Sequence, residues 1–463
     1  MQRTLEQIRF GMDAEFSGDP AQAAAVATGY SIDSRTIAAG DLFFAIHGER
    51  LNGHDYVDAA LAAGAVAAVV ARQELPRYTE QSLRNRLLVV EDTLRALQGL
   101  AHDVRRHWGK RLIAITGSAG KTTTKEAIAQ VLGARYCVRK SQGNLNNGYG
   151  LPLQLLRLQA EDEIAVMEMG MSQIGEIAAL AKIAAPDWGV VTNVGVAHAE
   201  NFSDGQAGIA RAKYELIAAL PRQGRSFLNC DDAYVSQFGR DFPGTAVYFG
   251  IGICADIRAE EIHSLGTAGT RFHVIAGERR AEVTLQLLGK HNVLNVLPAI
   301  AIGMACEIPL ETCAAALESL MPPDKRGQME TYAGATLLND CYNSNPAALN
   351  AMVETLCDIP AKRHIVVAGE MLELGPESER LHEDCGRAMA QRSVQIVVGV
   401  RGHAASLVAG ARAAGGDALF LNTPEEAGAW LRENLRAEDA VLLKASRGVR
   451  LERAFEALRP TNS

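Results

Sequence analysis

The chain has 463 residues, a formal net charge of -8, and a composition that is 48% hydrophobic and 22% charged. That length suggests about three domains of roughly 150 residues each. The acidic balance argues against a nucleic-acid partner, which needs a positive stripe, and the ordinary globular composition argues against disorder.

The N-terminal MQRTLEQIRF lacks the apolar core of a signal peptide, and the longest apolar run, residues 61–71, is too short to span a bilayer. A cytoplasmic protein with no membrane partner is therefore expected. Cysteines at 137, 230, 254, 306, 313, 341, 357 and 385 show neither a CxxC pair nor zinc spacing and read as reduced thiols.

The first hundred residues read as a small α/β module. A strand over 30–35 ends in Asp33-Ser34-Arg35, a turn at Gly40-Asp41 leads into a strand over 42–46, and a helix over 56–63 precedes an Ala/Val strand over 65–71. Ser34 and Arg35 offer a hydroxyl and a guanidinium to a diphosphate; a surface turn with a rim salt bridge explains them equally well. A helix follows over 92–107, and the basic cluster Arg105, Arg106, Lys110 and Arg111 reads as a solvated linker.

Residues 112–125, LIAITGSAGKTTTK, organise the rest of the chain. An apolar strand over 112–116 runs into Gly117, Ser118, Ala119 and Gly120, then Lys121, Thr122 and Thr123, and an amphipathic helix over 125–132. Strand, glycine loop and helix N-terminus make a phosphate cradle, because backbone N–H groups point inward and the helix dipole favours an anion. Lys121 then supplies charge to the β/γ-phosphates and the Thr122 hydroxyl a ligand to Mg²⁺. The general Walker pattern wants glycine where Ile115 stands, so what remains is GxxGKT, and a plain glycine turn is the bland alternative.

The loop KSQGNLNNG at 140–148 presents Asn144, Asn146 and Asn147 either to a polar ligand or simply as turn formers. A strand over 163–169 places Glu168 near its C-terminal end, where ligands of open α/β sheets gather, as a Mg²⁺ ligand or as a cap for a helix starting near Ile174. A strand over 188–194 precedes the lone His198. Lys213 falls in a helical segment over 209–219, where spacing alone reads it as a solvated charge. After a strand over 226–230, residues 246–288 show short alternating strands, an antiparallel addition to the sheet.

Gly289 opens a helix on which Asn292 and Asn295, three apart, share a face suited to a base edge. The segment MPPDKRG at 321–327 marks a linker, so the expected units are 1–108, 109–320 and 321–463. The remainder alternates strands over 335–341, 364–368, 395–400, 418–421 and 440–444 with helices, an open parallel sheet without a GxGxxG of its own.

ITGSAGKTTTK, Glu168, the His198 of NVGVAH, Lys213 in AKYEL, GKHNVLN, Arg326 and the KASR at 444–447 together resemble the Mur ligase family along the whole chain. The TGxxGKT form characteristic of that family accounts for the missing glycine. The resemblance implies a three-domain α/β fold: a small α/β UDP-binding domain, a central P-loop ATPase domain with a mostly parallel sheet, and a C-terminal Rossmann-like domain. The stretch from Asp33 to Tyr56 is similar to the UDP-binding domain of two branches of the family. DCYNSNP at 340–346, GEMLELG at 369–375 and GNLNN resemble the branch that joins D-alanyl-D-alanine to UDP-N-acetylmuramoyl-tripeptide. The other branch, which adds diaminopimelate or lysine to the dipeptide, shows an Asp-Tyr-Ala-His type sequence where Asp340 begins. Ala199, Ala445 and Leu451 depart from the family pattern beside functional positions.

The resemblance also implies roles. Lys121 and Thr122 hold phosphates and one Mg²⁺ with Glu168, and His198 reaches a second ion. Lys213 matches the family lysine that CO₂ converts to a carbamate. Gly117, Ser118, Ala119, Gly120 and Thr123 cradle ATP, Asn292 and Asn295 contact adenine, Asp340 and Asn343 complete the nucleotide site, and Arg326 meets the transferred phosphoryl group. Ser34, Arg35, Asn144, Asn146, Asn147, Ser172, Lys444, Ser446 and Arg447 face the substrates. The implied reaction is ATP-driven amide formation through an acyl phosphate by a chain that is monomeric by default; the different-class alternative is a regulatory P-loop ATPase.

Overall fold

Three large sheets carry the computed structural model, which describes residues 3–16, 20–48, 50–197 and 199–458. In the N-terminal sheet the strands run in the order Glu15–Phe16, Leu87–Val90, Ala67–Ala71, Asp41–Phe44 and Gly29–Ser31, parallel except for the first pair. The strand expected over 30–35 stops at Ser31 because Asp33 turns the chain: its Oδ1 accepts the Arg35 N–H at 3.0 Å and opens a 3₁₀ turn over Ser34–Thr36.

The helix Thr93–Trp108 links this sheet to the next. Asp92 caps its start and Gly109, at φ 66°, ends it, while Leu97, Leu100, Ala101 and Val104 are buried at helical spacing. The basic cluster that straddles its C-terminal end is only partly solvated: Arg106 and Arg111 are exposed, but the cluster is tied into the fold. Arg105 is buried, donates to the carbonyls of Ala184 and Ala185 at 2.9 Å and pairs with Asp187 at 2.8 Å. Lys110 donates to the Asp162 carbonyl at 2.7 Å, and the Arg111 guanidinium lies 4.3 Å from the Trp188 ring centroid. These partners come from residues 50 or more positions away, which spacing within the cluster does not show. Arg105→Ala is expected to destabilise the fold by about 2–3 kcal/mol, since it strands buried carbonyls and a half-exposed carboxylate. Urea denaturation checks this; a loss below about 0.5 kcal/mol, the range of an ordinary surface change, contradicts it.

The central sheet has nine strands, ordered Arg279–Leu285, Thr270–Ala276, Ile257–Ser264, Thr245–Gly250, Arg225–Asn229, Trp188–Val191, Arg111–Thr116, Ile164–Glu168 and Val138–Lys140. Leu112, Ile113, Ala114 and Ile115 are fully buried, as expected of a strand covered on both faces. The antiparallel addition is smaller than its alternating pattern predicts. Thr245–Gly250 and Ile257–Ser264 extend the sheet in parallel, and only the last two pairings, on either side of Thr270–Ala276, are antiparallel. Alternation reports a half-buried face and says nothing of strand direction.

The structure also corrects the reading of eight reduced thiols. Cys230, at the end of one strand, is joined by a disulfide to Cys254 in the loop after the next, and the other six cysteines are free.

In the C-terminal sheet the order is Gln328–Tyr332, Ala335–Asp340, Asp439–Lys444, Arg363–Gly369, Ile396–Val400 and Asp417–Leu421, parallel except for an edge hairpin at Gln328–Tyr332 that the sequence pattern did not reveal. Among the described residues no helix is long and apolar enough to cross a membrane.

Candidate active site

The strand Arg111–Thr116 delivers the chain into residues 117–120 and then into a helix over Lys121–Leu132, which begins four residues earlier than its apolar periodicity indicates. Two glycines are required here. At Gly117 (φ 154°) a Cβ would lie 1.8 Å from Thr192 Oγ1, and at Gly120 (φ 81°) it would lie 2.1 Å from Asn295 Oδ1.

The loop is held from one side by Asn193, which accepts the Ser118 N–H on its carbonyl at 3.0 Å and the Ala119 N–H on its side-chain oxygen at 2.9 Å. Those two N–H groups are therefore committed to the protein. The open donors belong to the first helical turn, which has no side-chain cap, so the anion site lies at Lys121, Thr122 and Thr123.

Lys121 reaches back to the Gly117 carbonyl at 2.7 Å. The Thr122 hydroxyl donates to Glu168 Oε2 at 2.9 Å, and Asn146 Nδ2 donates to Oε1 of the same carboxylate at 2.9 Å. Glu168 ends its strand opposite Ile115 and is 5% exposed, so the sheet itself brings acid and hydroxyl together. A hydroxyl and a carboxylate side by side at an uncapped helix N-terminus are hard oxygen donors of the kind Mg²⁺ takes alongside phosphates.

These residues line a cleft of about 920 Å³ between the central and C-terminal sheets. Lys213 enters it from the helix Gln206–Ala218 and is 3% exposed, so it is not the solvated charge that its spacing suggests. Burial pushes its ammonium well below the ordinary lysine value, and the nearby Lys121 pushes it further down while Asp232 opposes both. Burial likewise lowers Lys121, with Glu168 opposing and Arg326 adding to the shift. Two lysines of the central unit, Lys121 and Lys213, therefore meet Arg326, Lys444 and Arg447 of the C-terminal unit around one cavity.

On the helix Lys290–Ala305, Asn292 and Asn295 share the face that spacing predicts, joined by a 3.1 Å hydrogen bond, and both line the cleft. From the C-terminal sheet, Asp340 enters paired with Lys444 Nζ at 2.5 Å, and Lys444 also donates to the Asn343 carbonyl at 2.8 Å. Asn144, Asn146, Asn147, Ser172, Asn343, Arg326 and Arg447 line the same cleft.

Three residues expected at the substrates lie outside it. Ser446 is buried beneath the cleft, where its Oγ accepts the Leu372 N–H at 2.9 Å. Ser34 and Arg35 sit in the N-terminal turn, and the Arg35 guanidinium pairs with Asp33 at 2.6 Å in the manner of a rim salt bridge. His198 falls outside the described residues.

Sequence reading missed His291, Asn193 and Tyr342. His291 lines the cleft and is lowered to about 4, chiefly by burial, so it is neutral at physiological pH. Its signal was its place inside GKHNVLN, and that of Asn193 its place before Gly195 in NVGVAH.

Comparison with known proteins places this geometry in a lineage. A model of the Mur ligase middle domain matches residues 115–303, the Mur ligase glutamate ligase domain matches 325–447, and the Mur ligase family catalytic domain matches 26–105. The UDP-N-acetylmuramoyl-tripeptide–D-alanyl-D-alanine ligase of Bacillus subtilis is 34% identical over 434 residues, 93% of each chain. The ligase of the same name from Escherichia coli is 34% identical over 473 residues, 98% of each chain. Among solved structures, MurF from Acinetobacter baumannii superposes with a TM-score of 0.89 at 29% identity over 99% of both chains. The MurF ligase of Thermotoga maritima in complex with ADP gives 0.81 at 29% identity, covering 93% of this chain and 97% of that one.

Proposed function

The chain belongs to the Mur ligase family, and from that premise we propose that it joins D-alanyl-D-alanine to UDP-N-acetylmuramoyl-tripeptide at the expense of ATP. The observation that carries this reading is the convergence of Lys121, Arg326 and Arg447 with the Thr122–Glu168 pair in one cleft. Such a set of cations is unfavourable without a polyanion and suits the triphosphate of ATP.

A carboxylate is a poor electrophile, so the tripeptide carboxylate first attacks the γ-phosphorus of ATP, breaking the bond to the β,γ-bridging oxygen and expelling ADP, to give an acyl phosphate. The dipeptide amine then attacks the acyl carbon, and phosphate leaves through a tetrahedral intermediate. Negative charge builds on oxygen in both steps, so preorganised cations supply most of the stabilisation. Lys121 and the first-turn N–H groups hold the β- and γ-phosphates, Asn292 and Asn295 orient the adenine, Asp340 orients the ribose, and Arg326 meets the transferred phosphoryl group from the C-terminal side. Asn144, Asn146, Asn147 and Ser172 face the peptide of the UDP substrate.

Thr122 and Glu168 would hold one Mg²⁺, with Lys213 as a carbamate and His198 on a second ion. Bound Mg²⁺ supplies charge neutralisation at the phosphates. The depressed basicity of Lys213 favours the neutral amine that CO₂ requires, and the carbamate turns a repelling ammonium into a carboxylate-like ligand. The N-terminal unit, 1–108, would bind the UDP end, with 109–320 binding ATP and 321–463 closing the site over a small-molecule substrate in a cytoplasmic monomer.

The test uses tripeptide substrate labelled with ¹⁸O in its terminal carboxylate. The expected result is one labelled oxygen in the released phosphate and a product heavier by the dipeptide. Unlabelled phosphate contradicts carboxylate activation.

A further inference from the structure

Tyr342 occupies an unusual position in the cleft. The Arg326 guanidinium lies 4.0 Å from its ring centroid and the Arg447 guanidinium lies 5.0 Å from the same centroid. All three side chains line the cavity, and among the described residues neither arginine pairs with a carboxylate. Two guanidiniums drawn to one place repel each other, and an aromatic face is a neutral group that attracts both. A cation–π contact takes up no hydrogen-bond acceptor, so the N–H donors of both guanidiniums stay available to an anion.

The backbone fixes this ring where three segments meet. The Tyr342 N–H donates to the Lys325 carbonyl at 3.2 Å, which ties the ring to the residue preceding Arg326. On the other side Lys444 Nζ donates to the Asn343 carbonyl at 2.8 Å and Ser446 Oγ donates to the Ser344 carbonyl at 3.4 Å, which ties it to the segment that ends in Arg447. The clamp shares its cavity with the phosphate cradle, since Lys121 and Thr122 line the same cleft.

We propose that Tyr342 is a positioning residue whose ring presents the Arg326 and Arg447 guanidiniums together to the terminal phosphoryl group of ATP, an inference that rests on the ATP reading above. The ring face is the working part and the hydroxyl is dispensable. The clamp then acts on the γ-phosphate and is silent toward ADP.

Calorimetric titration of the full chain with a non-hydrolysable ATP analogue and with ADP, each with Mg²⁺, tests this. Tyr342→Phe and Tyr342→Trp are expected to keep the unmodified protein's ratio of analogue to ADP affinity, whereas Tyr342→Leu lowers it about tenfold, the scale of a desolvated cation–π contact. In an Arg326→Ala/Arg447→Ala background, Tyr342→Leu is expected to change the ratio no further. An unchanged ratio in Tyr342→Leu overturns the proposal, and so does a loss in Tyr342→Phe as large as in the leucine variant. Should the leucine variant not fold, an unchanged ratio in the Arg326→Ala/Arg447→Ala protein, or a lowered ratio in Tyr342→Phe, overturns it equally. Failure of the unmodified protein to bind either nucleotide would instead overturn the ATP reading itself.

Discussion

Lys121→Ala is expected to lower kcat/KM for ATP by about 10³-fold, the loss typical of removing one preorganised charge at a transferring group. The reason is positional. Lys121 is the first residue of the uncapped helix and is anchored to the Gly117 carbonyl at 2.7 Å, so its ammonium stands at the open N–H donors of that turn. Lys213 and Arg326 enter the same cleft from another helix and from the loop before the C-terminal sheet, and neither sits on the first turn of this helix. Steady-state kinetics on protein with unchanged circular dichroism measures the loss. A decrease below about tenfold, the scale of a rim charge, would remove Lys121 from the centre of the account.

Lys213→Ala is expected to cost a comparable factor, about 10³-fold, for a different reason. If Lys213 acts as a carbamate, the variant lacks an anion and not a cation. Short carboxylates such as acetate or formate should then restore part of the turnover, and small amines should not. The pH dependence has a definite sign. Carbamate forms on the neutral amine, and burial has lowered the folded-state basicity of Lys213, so modification is favoured as pH rises through that lowered value and lost as pH falls below it. Activity of the chain without substitutions should accordingly fall in CO₂-depleted buffer and recover on adding bicarbonate, more steeply at low pH. Rescue of Lys213→Ala by methylamine and not by acetate would assign the residue a cationic role instead.

What was legible in the chain follows a physical division. The strand Arg111–Thr116 and the strands of the C-terminal sheet are short apolar runs between turns, because strands covered on both faces have no polar side to interrupt them. Glu168 and the Asn292/Asn295 pair were legible because a strand end and a helical spacing of three place them regardless of the rest of the fold. Lys213 was legible only through resemblance, since its burial comes from packing of the helix Gln206–Ala218 against the cleft. Arg105 was misread for the same reason: its partners at 184–187 are distant in sequence, and nothing in RRHWGKR marks which arginine turns inward. The Cys230–Cys254 bridge and the shared ring of Tyr342 likewise join residues whose proximity exists only after folding.

The central claim is that ATP cleavage in this cleft is coupled to addition of D-alanyl-D-alanine. Phosphate release by the purified chain with ATP and Mg²⁺ tests it most directly, comparing UDP-N-acetylmuramoyl-tripeptide plus D-alanyl-D-alanine with UDP-N-acetylmuramoyl-dipeptide plus diaminopimelate or lysine, and with neither acceptor present. The account predicts turnover in the first mixture alone, lowered about 10³-fold by Lys121→Ala. Turnover confined to the second mixture would assign the chain to the branch that adds a diamino acid, and turnover without any acceptor would make it an ATPase that ligates nothing.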